Sequence, residues 1–205
     1  MLNGLYVITD NKLTPNKTIL KQIEQSLKAG AKIVQLRDKK NSIETIEKLA
    51  ISIQDLCKKY NALFVLNDEI ELAIKLKCDA LHIGKSDHHN FEKIRKEFKG
   101  IIGVSCYGNL SLAKEFELKG ANYVAFGSFF SSPTKPQSTI VPFDVLTKAK
   151  ESLSIPICAI GGINSENVNK LLKYKPDMIA LISDIWSDDI TKKTNFYNNI
   201  LKGKE

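Results

Sequence analysis

Arginine is nearly absent from this chain of 205 residues. Of its 30 basic residues only two, Arg37 and Arg95, are arginine, and the rest are lysine. No apolar run approaches the ~20 residues that a membrane-spanning helix needs. The first run stands behind MLNG alone and lacks the flanks of a secretory signal. Four cysteines (Cys57, Cys78, Cys106, Cys158) show no CxxC spacing. Without a secretory signal they argue for buried apolar thiols in a reduced compartment rather than a disulfide framework, so the cytoplasm is the expected location. Histidine is equally scarce. None of His82, His88 and His89 stands with a serine in a plausible nucleophile turn, which excludes a Ser–His–Asp hydrolase. His82 alternates within an apolar run and reads as a hydrogen-bonded interior residue, whereas His88 and His89 fall in a polar loop. No basic run is interleaved with aromatics. The net charge of +7 is spread over lysines with Glu and Asp between them, as in KEFELK (114–119). Nucleic acid is therefore not expected as a partner, although the charge would draw anionic substrates. No linker or low-complexity tract divides residues 1–205, which read as one domain.

What the chain has is repetition. Eight short apolar runs recur: LYVIT (5–9), IVQLRD (33–38), LFVLND (63–68), ALHIGK (80–85), IIGVSC (101–106), YVAFGS (123–128), ICAIGG (157–162) and MIALIS (178–183). Between them lie lysine-rich segments with apolar spacing near 3.6, such as IETIEKLAISIQDL (43–56), and TKKTNFYNNILKGKE (191–205) reads as a closing helix with a frayed end. Strands of this length alternating with helices predict βαβ units and a parallel sheet. Eight units in one domain predict a single-domain α/β fold, the (β/α)8 TIM barrel. Such barrels typically take ~250 residues, so the helices must be short. Chemistry in that fold lies on the loops after the strands.

The strand ends are where function is to be read. In the second run a period of 2 places Gln35, Arg37 and Lys39 on one side, with Val34, Leu36 and Asp38 on the other. A chain that almost never uses arginine uses one here, and a planar guanidinium suits bidentate phosphate recognition; the alternative is a salt bridge across the barrel rim. Asn67 and Asp68 end the third run, and Lys85, Ser86 and Asp87 follow the fourth. Asp68 and Asp87 would serve equally as a carboxylate pair for Mg²⁺ or as helix N-caps, and spacing does not choose between them. Glu69 and Glu71 read as first-turn helix residues. Gly161 and Gly162 after the seventh run, with Ser183 after the eighth, form a phosphate cradle in which no Cβ blocks the backbone amides. The segment SSPTKPQSTIVP (131–142) lacks a clear element, and a loop of that length on the catalytic face reads as functional. It supplies Ser132, Thr134 and Lys135.

Taken together, LYVITD, VQLRDK, LNDEIELA, LHIGKSD, GVSCY, YVAFGSFFSSPTKP, AIGGI and ALISDI resemble the thiamine phosphate synthase family, in its order and spacing, over essentially the whole chain. The resemblance implies a transferase. It would condense 4-amino-2-methyl-5-(diphosphomethyl)pyrimidine with thiazole ethyl phosphate, giving thiamine phosphate and pyrophosphate through a dissociative pyrimidine cation, with Mg²⁺ as cofactor. It further implies that Arg37, Lys39, Asn67 and Lys135 hold pyrophosphate and that Asp68 and Asp87 hold Mg²⁺. Gln35 and Ser105 would orient the pyrimidine, and Ser132, Thr134, Gly162, Ile182 and Ser183 would hold the thiazole phosphate. The partners expected are these two small molecules and, in a homo-oligomer, further copies of the chain. Three positions depart from the family pattern: Lys85 where Gln is usual, Ser132 for the first Thr of the sixth loop, and Tyr107 where many members carry His. A sister isomerase, thiazole tautomerase, uses a His after the fifth strand, which Tyr107 disfavours. A non-catalytic phosphate-ligand sensor on the same barrel is the remaining alternative.

Overall fold

In a computed structural model of the chain, the described residues are 2–132, 137–186 and 189–202. Eight strands form one closed parallel barrel in chain order: β1 Gly4–Ile8, β2 Ile33–Leu36, β3 Leu63–Asn67, β4 Ala80–Ile83, β5 Ile101–Tyr107, β6 Tyr123–Phe126, β7 Ile157–Ile160 and β8 Met178–Leu181. Each of the eight apolar runs is a strand, and β8 closes the ring on β1. The helices are α1 Ile19–Lys28, α2 Ile43–Lys59, α3 Ile70–Lys75, α4 Phe91–Glu97, α5 Leu110–Leu118, α6 Asp144–Ser152, α7 Val168–Leu172 and α8 Ile190–Lys202. Several have only five to seven residues, as the short chain requires. His88 and His89 lie not in a loop but in a 3-10 helix, Lys85–Asn90, where the His88 ring packs on Phe116 with centroids 4.7 Å apart. Among the described residues no helix is long and apolar enough to cross a membrane.

Strand alternation sorts the core into two layers. Outward-facing Val7, Val34, Leu36, Phe64, Leu66, Leu81 and Ile83 pack with the helices. On α2 the buried residues are Ile46, Ala50, Ile53 and Cys57, the stripe expected of a period of 3.6. Truncating Ile53 to Ala would cost about 2–5 kcal/mol. Inward-facing Tyr6, Ile8, Val65, Tyr123, Ala125, Cys158 and Ala180 fill the barrel. All four cysteines are buried and free. Burial pushes the Cys57 and Cys106 thiols up to about 12, so they stay protonated and unreactive at neutral pH.

Candidate active site

A cavity of about 340 Å³ opens at the ends of the strands. Gln35, Arg37, Lys39, Asn67, Asp68, Ser105, Ser132, Gly162, Ile182 and Ser183 all line it. These are ten of the residues expected from the sequence, and they come from strands spread round the whole ring. Thr134 and Lys135 lie outside the described residues.

The second and third strand ends form a charged corner. The Lys39 ammonium is ion-paired with Asp68 Oδ2, which also accepts from Asn67 Nδ2 at 2.7 Å, while Oδ1 accepts from the Gly84 amide at 3.1 Å. Burial works against the Asp68 charge. The Lys39 ammonium and the Gly84 and Asn67 donors outweigh it, and hold the carboxyl below the usual carboxylate range. Arg37 faces the same cavity, and its guanidinium makes no hydrogen bond or ion pair among the described residues. Among the described residues the rim salt bridge is not formed.

Asp38, on the opposite face of the strand, builds this corner from behind. Its Oδ1 accepts from Asn11 Nδ2 at 2.6 Å and from the amides of Lys40 and Asn41 at 3.0 Å each; Oδ2 accepts from Asn41 Nδ2 at 2.6 Å. The Lys39 amide donates to Asn11 Oδ1 at 3.1 Å, and the Arg37 amide to Thr9 Oγ1 at 2.9 Å. The loop carrying Arg37 and Lys39 is therefore fastened to the loop after β1. Burial again opposes the Asp38 charge, but these amide and side-chain donors hold its pKa down.

The seventh and eighth strand ends form the other wall. Gly161 and Gly162 have φ of +104° and +64°, in the left-handed region. A Cβ on Gly162 would lie 2.3 Å from the Ser131 carbonyl oxygen and 2.5 Å from that of Phe130. The expectation of an open amide cradle is thereby modified: these glycines admit the backbone of the sixth loop. Phe130 N donates to the Gly161 carbonyl at 3.0 Å, securing that loop. The loop after β8 is anchored by Trp186 Nε1, which donates to the Ile8 carbonyl at 2.6 Å, and by Lys193 Nζ, which donates to Asp184 Oδ1 at 3.0 Å.

Between the walls lies a feature the sequence reading missed. Gln35 Nε2 donates to the Tyr6 hydroxyl at 2.6 Å, and the Tyr6 and Tyr123 hydroxyls are 2.9 Å apart. The Tyr123 hydroxyl is 3.0 Å from His82 Nδ1, and His82 Nε2 is 2.9 Å from Ser105 Oγ. Gly103 makes room for this chain: a Cβ there would fall 1.9 Å from the Tyr123 ring. His82 is the hydrogen-bonded interior residue expected, but Tyr6 and Tyr123 carried no signal beyond that of ordinary strand aromatics.

Asp87 behaves differently from Asp68. It sits in the 3-10 helix, accepts the Ser86 hydroxyl at 2.6 Å, and does not line the cavity, whereas Lys85 and Ser86 do. Neither carboxylate is a helix N-cap, since Glu69 precedes α3, Gly84 the 3-10 helix and Asn90 α4. Glu71 lies in the first turn of α3 as expected. No cluster of three or more His, Cys, Asp or Glu suited to a metal occurs among the described residues. Tyr107, at φ +57°, stands half-exposed at the cavity rim.

A closed (β/α)8 barrel with cationic side chains at one side of its mouth and glycine-rich turns at the other defines a barrel enzyme that handles anionic small molecules. Similarity is more specific. A sequence model described as thiamine monophosphate synthase matches residues 5–185. A thiamine-phosphate synthase of Wolinella succinogenes is 42% identical over 193 residues, covering 93% of this chain and 89% of that protein. Another from Picrophilus torridus is 41% identical over 186 residues, covering 90% and 89%. The solved structure of a thiamine phosphate pyrophosphorylase from Pyrococcus furiosus superposes with a TM-score of 0.88 at 32% identity, over 98% of this chain and 96% of that one. The chain belongs to the thiamine monophosphate synthase family, a family of transferases.

Proposed function

We propose that this chain joins 4-amino-2-methyl-5-(diphosphomethyl)pyrimidine to thiazole ethyl phosphate. The observation that carries this reading is one cavity with two anion-binding walls. Arg37, Lys39 and Asn67 line it at the ends of β2 and β3, and Gly162 and Ser183 at the ends of β7 and β8. In an eight-membered ring β3 and β7 stand opposite, so a diphosphate and a monophosphate can be held apart with their organic parts meeting between them.

The chemistry follows from those positions. Arg37 and Lys39 would bind the diphosphate with Asn67 and, from the sixth loop, Lys135. As the carbon–oxygen bond of the methyl diphosphate breaks, its electron pair leaves with pyrophosphate, and these cations stabilise the growing charge. The pyrimidine methyl cation left behind is captured by the lone pair of the thiazole nitrogen, which forms the new carbon–nitrogen bond. Ser132, Thr134, Gly162, Ile182 and Ser183 would place the thiazole for that capture, and Gln35 and Ser105 would orient the pyrimidine. No general base is required, which agrees with a cavity in which the one lining histidine, His82, is engaged in hydrogen bonds.

Mg²⁺ fits the acidic side of the corner. Asp68 is a hard oxygen donor held ionised beside the cavity, and it already carries a cation in the Lys39 ammonium. Asp68 and Asp87 would hold the metal, which would neutralise charge on the departing pyrophosphate. The cytoplasm is the compartment proposed for this reaction. Incubating the protein with both substrates and Mg²⁺ and assaying for thiamine phosphate tests the reading; no product from the folded protein would reject it.

A further inference from the structure

We propose that the buried hydrogen-bond chain Gln35–Tyr6–Tyr123–His82–Ser105 is directional, and that it fixes which edge of a pyrimidine the cavity accepts. The proposal rests on the placement of the pyrimidine at Gln35 and Ser105 given above. It adds Tyr6, Tyr123 and His82 as positioning residues acting through Gln35 and Ser105, and a specificity they determine.

Direction follows from counting protons. Each phenol carries one O–H, and burial raises both tyrosine pKa values so far that neither loses it at neutral pH. Tyr6 accepts a hydrogen bond from Gln35 Nε2, which cannot itself accept one, so the Tyr6 O–H turns to Tyr123. Tyr123 in turn donates to His82 Nδ1. A neutral imidazole accepting at one nitrogen carries its proton on the other, so Nε2–H donates to Ser105 Oγ. The two ends of the chain are then unlike. Gln35 presents Oε1, an acceptor with no donor among the described residues, and the Ser105 hydroxyl turns its own proton to the cavity.

An acceptor and a donor held on opposite sides of the cavity floor match a 4-aminopyrimidine, which offers an amino donor and, across the ring, a ring-nitrogen acceptor. They mismatch a 4-oxopyrimidine, whose carbonyl would set an acceptor against the Gln35 Oε1 acceptor. Reversing the match would require every link to turn at once: the Gln35 amide would flip, both tyrosines would rotate their protons, and His82 would change tautomer. The chain therefore makes a distant choice of imidazole tautomer part of substrate selection.

The test is a comparison of binding, which needs no turnover and so stands apart from whether the reaction itself proceeds. Calorimetry would measure the amino and the 4-oxo pyrimidine methyl diphosphates on the wild type and on Tyr123→Phe, which keeps the ring over Gly103 but breaks the middle link. The wild type should prefer the amino form, and Tyr123→Phe should shrink that preference on the order of tenfold, the worth of about one hydrogen bond. Binding of thiazole ethyl phosphate should be unchanged. Tyr6→Phe, cutting a different link, should do the same and covers the case in which Tyr123→Phe does not fold. A preference unchanged in both variants, whether at full affinity or with affinity lost equally for both ligands as a loosened core would give, overturns the proposal.

Discussion

Lys39 and Asp68 are paired across the ends of adjacent strands, the ammonium on Oδ2 of the carboxylate. In the proposed cycle each has another task, Lys39 on pyrophosphate and Asp68 on Mg²⁺. Under that proposal the pair would hold both groups in register, each neutralising the other in the absence of substrate and metal. Asp68 adopts φ +63°, a left-handed conformation uncommon for a residue other than glycine. Its neighbour Asn67 and the Gly84 amide complete the seat.

Asp68→Ala and Asp87→Ala should each abolish Mg²⁺-dependent formation of thiamine phosphate while leaving the barrel folded by circular dichroism. Each removes a separate oxygen ligand from one cation. Asp87 does not line the cavity, so its variant is the sharper test. Near-normal turnover with Asp87→Ala would assign the metal to Asp68 and substrate oxygens alone.

Arg37→Lys keeps the charge and removes the fork. A bidentate contact to pyrophosphate should weaken by roughly 1.5–3 kcal/mol, the scale of a charge-assisted hydrogen bond. Because charge on the leaving group grows in the transition state, the loss should fall mainly on kcat. Steady-state kinetics with unchanged kcat and KM would show that the guanidinium, though unpaired among the described residues, does not meet the diphosphate.

The fold was legible because the signal was redundant. Eight runs such as YVAF and MIAL are each bounded by Gly, Asp or Ser, and a parallel barrel buries both faces of every strand, so the runs stand out as continuous apolar segments. Charged site residues were legible for a related reason: Arg37 and Asp68 stand at strand ends, where an apolar run stops. His82 was legible as a hydrogen-bonded interior residue, but Tyr6 and Tyr123 were not, because a buried polar chain is a property of register across β1, β6 and β4. No single strand shows that the Tyr6 and Tyr123 hydroxyls meet across a separation of 117 residues. Gly161 and Gly162 were found for a reason that the structure modifies, since the sequence cannot show the sixth loop lying on them.

Asp38→Asn should make stability less dependent on pH in the acid range. The Asp38 carboxyl is held ionised by amide donors, so its folded pKa lies below its unfolded value near 3.9. Its contribution is present in full above that unfolded value and fades as pH falls through the lower folded one. Chemical denaturation at pH 6 should therefore favour the wild type clearly. The gap to Asp38→Asn should narrow as the pH is lowered below about 4. A gap that widens on acidification would show that the loop clamp does not depend on the carboxylate charge.

Gly103→Ala tests the floor of the barrel. The added Cβ would meet the Tyr123 ring at 1.9 Å, and that ring is enclosed between Tyr6 and His82. Overpacking of this kind costs about 1–3 kcal/mol, readable as a lower denaturant midpoint. A stability equal to that of the wild type would mean that the ring can withdraw, and that the hydroxyl chain is looser than its distances indicate.

Gly162 separates two accounts of the glycine turn after β7. If it serves only to let a phosphate approach the backbone, Gly162→Val should weaken thiazole phosphate binding, and Gly162→Ala, with a smaller side chain, should do little. The contacts favour the other account. A Cβ of any kind falls 2.3 Å from the Ser131 carbonyl and 2.5 Å from that of Phe130, and these are backbone atoms with no rotamer to escape into. The φ of +64° adds strain for any side chain, and more for a β-branched one. Gly162→Ala should therefore be nearly as harmful as Gly162→Val, each lowering stability by about 1–3 kcal/mol as the sixth loop is displaced. Both should weaken thiazole phosphate binding measured by calorimetry. Pyrimidine diphosphate binding should change less, because Arg37, Lys39 and Asn67 belong to β2 and β3 and their loops. An alanine variant of full stability and full thiazole phosphate affinity would return the glycine to the simpler role.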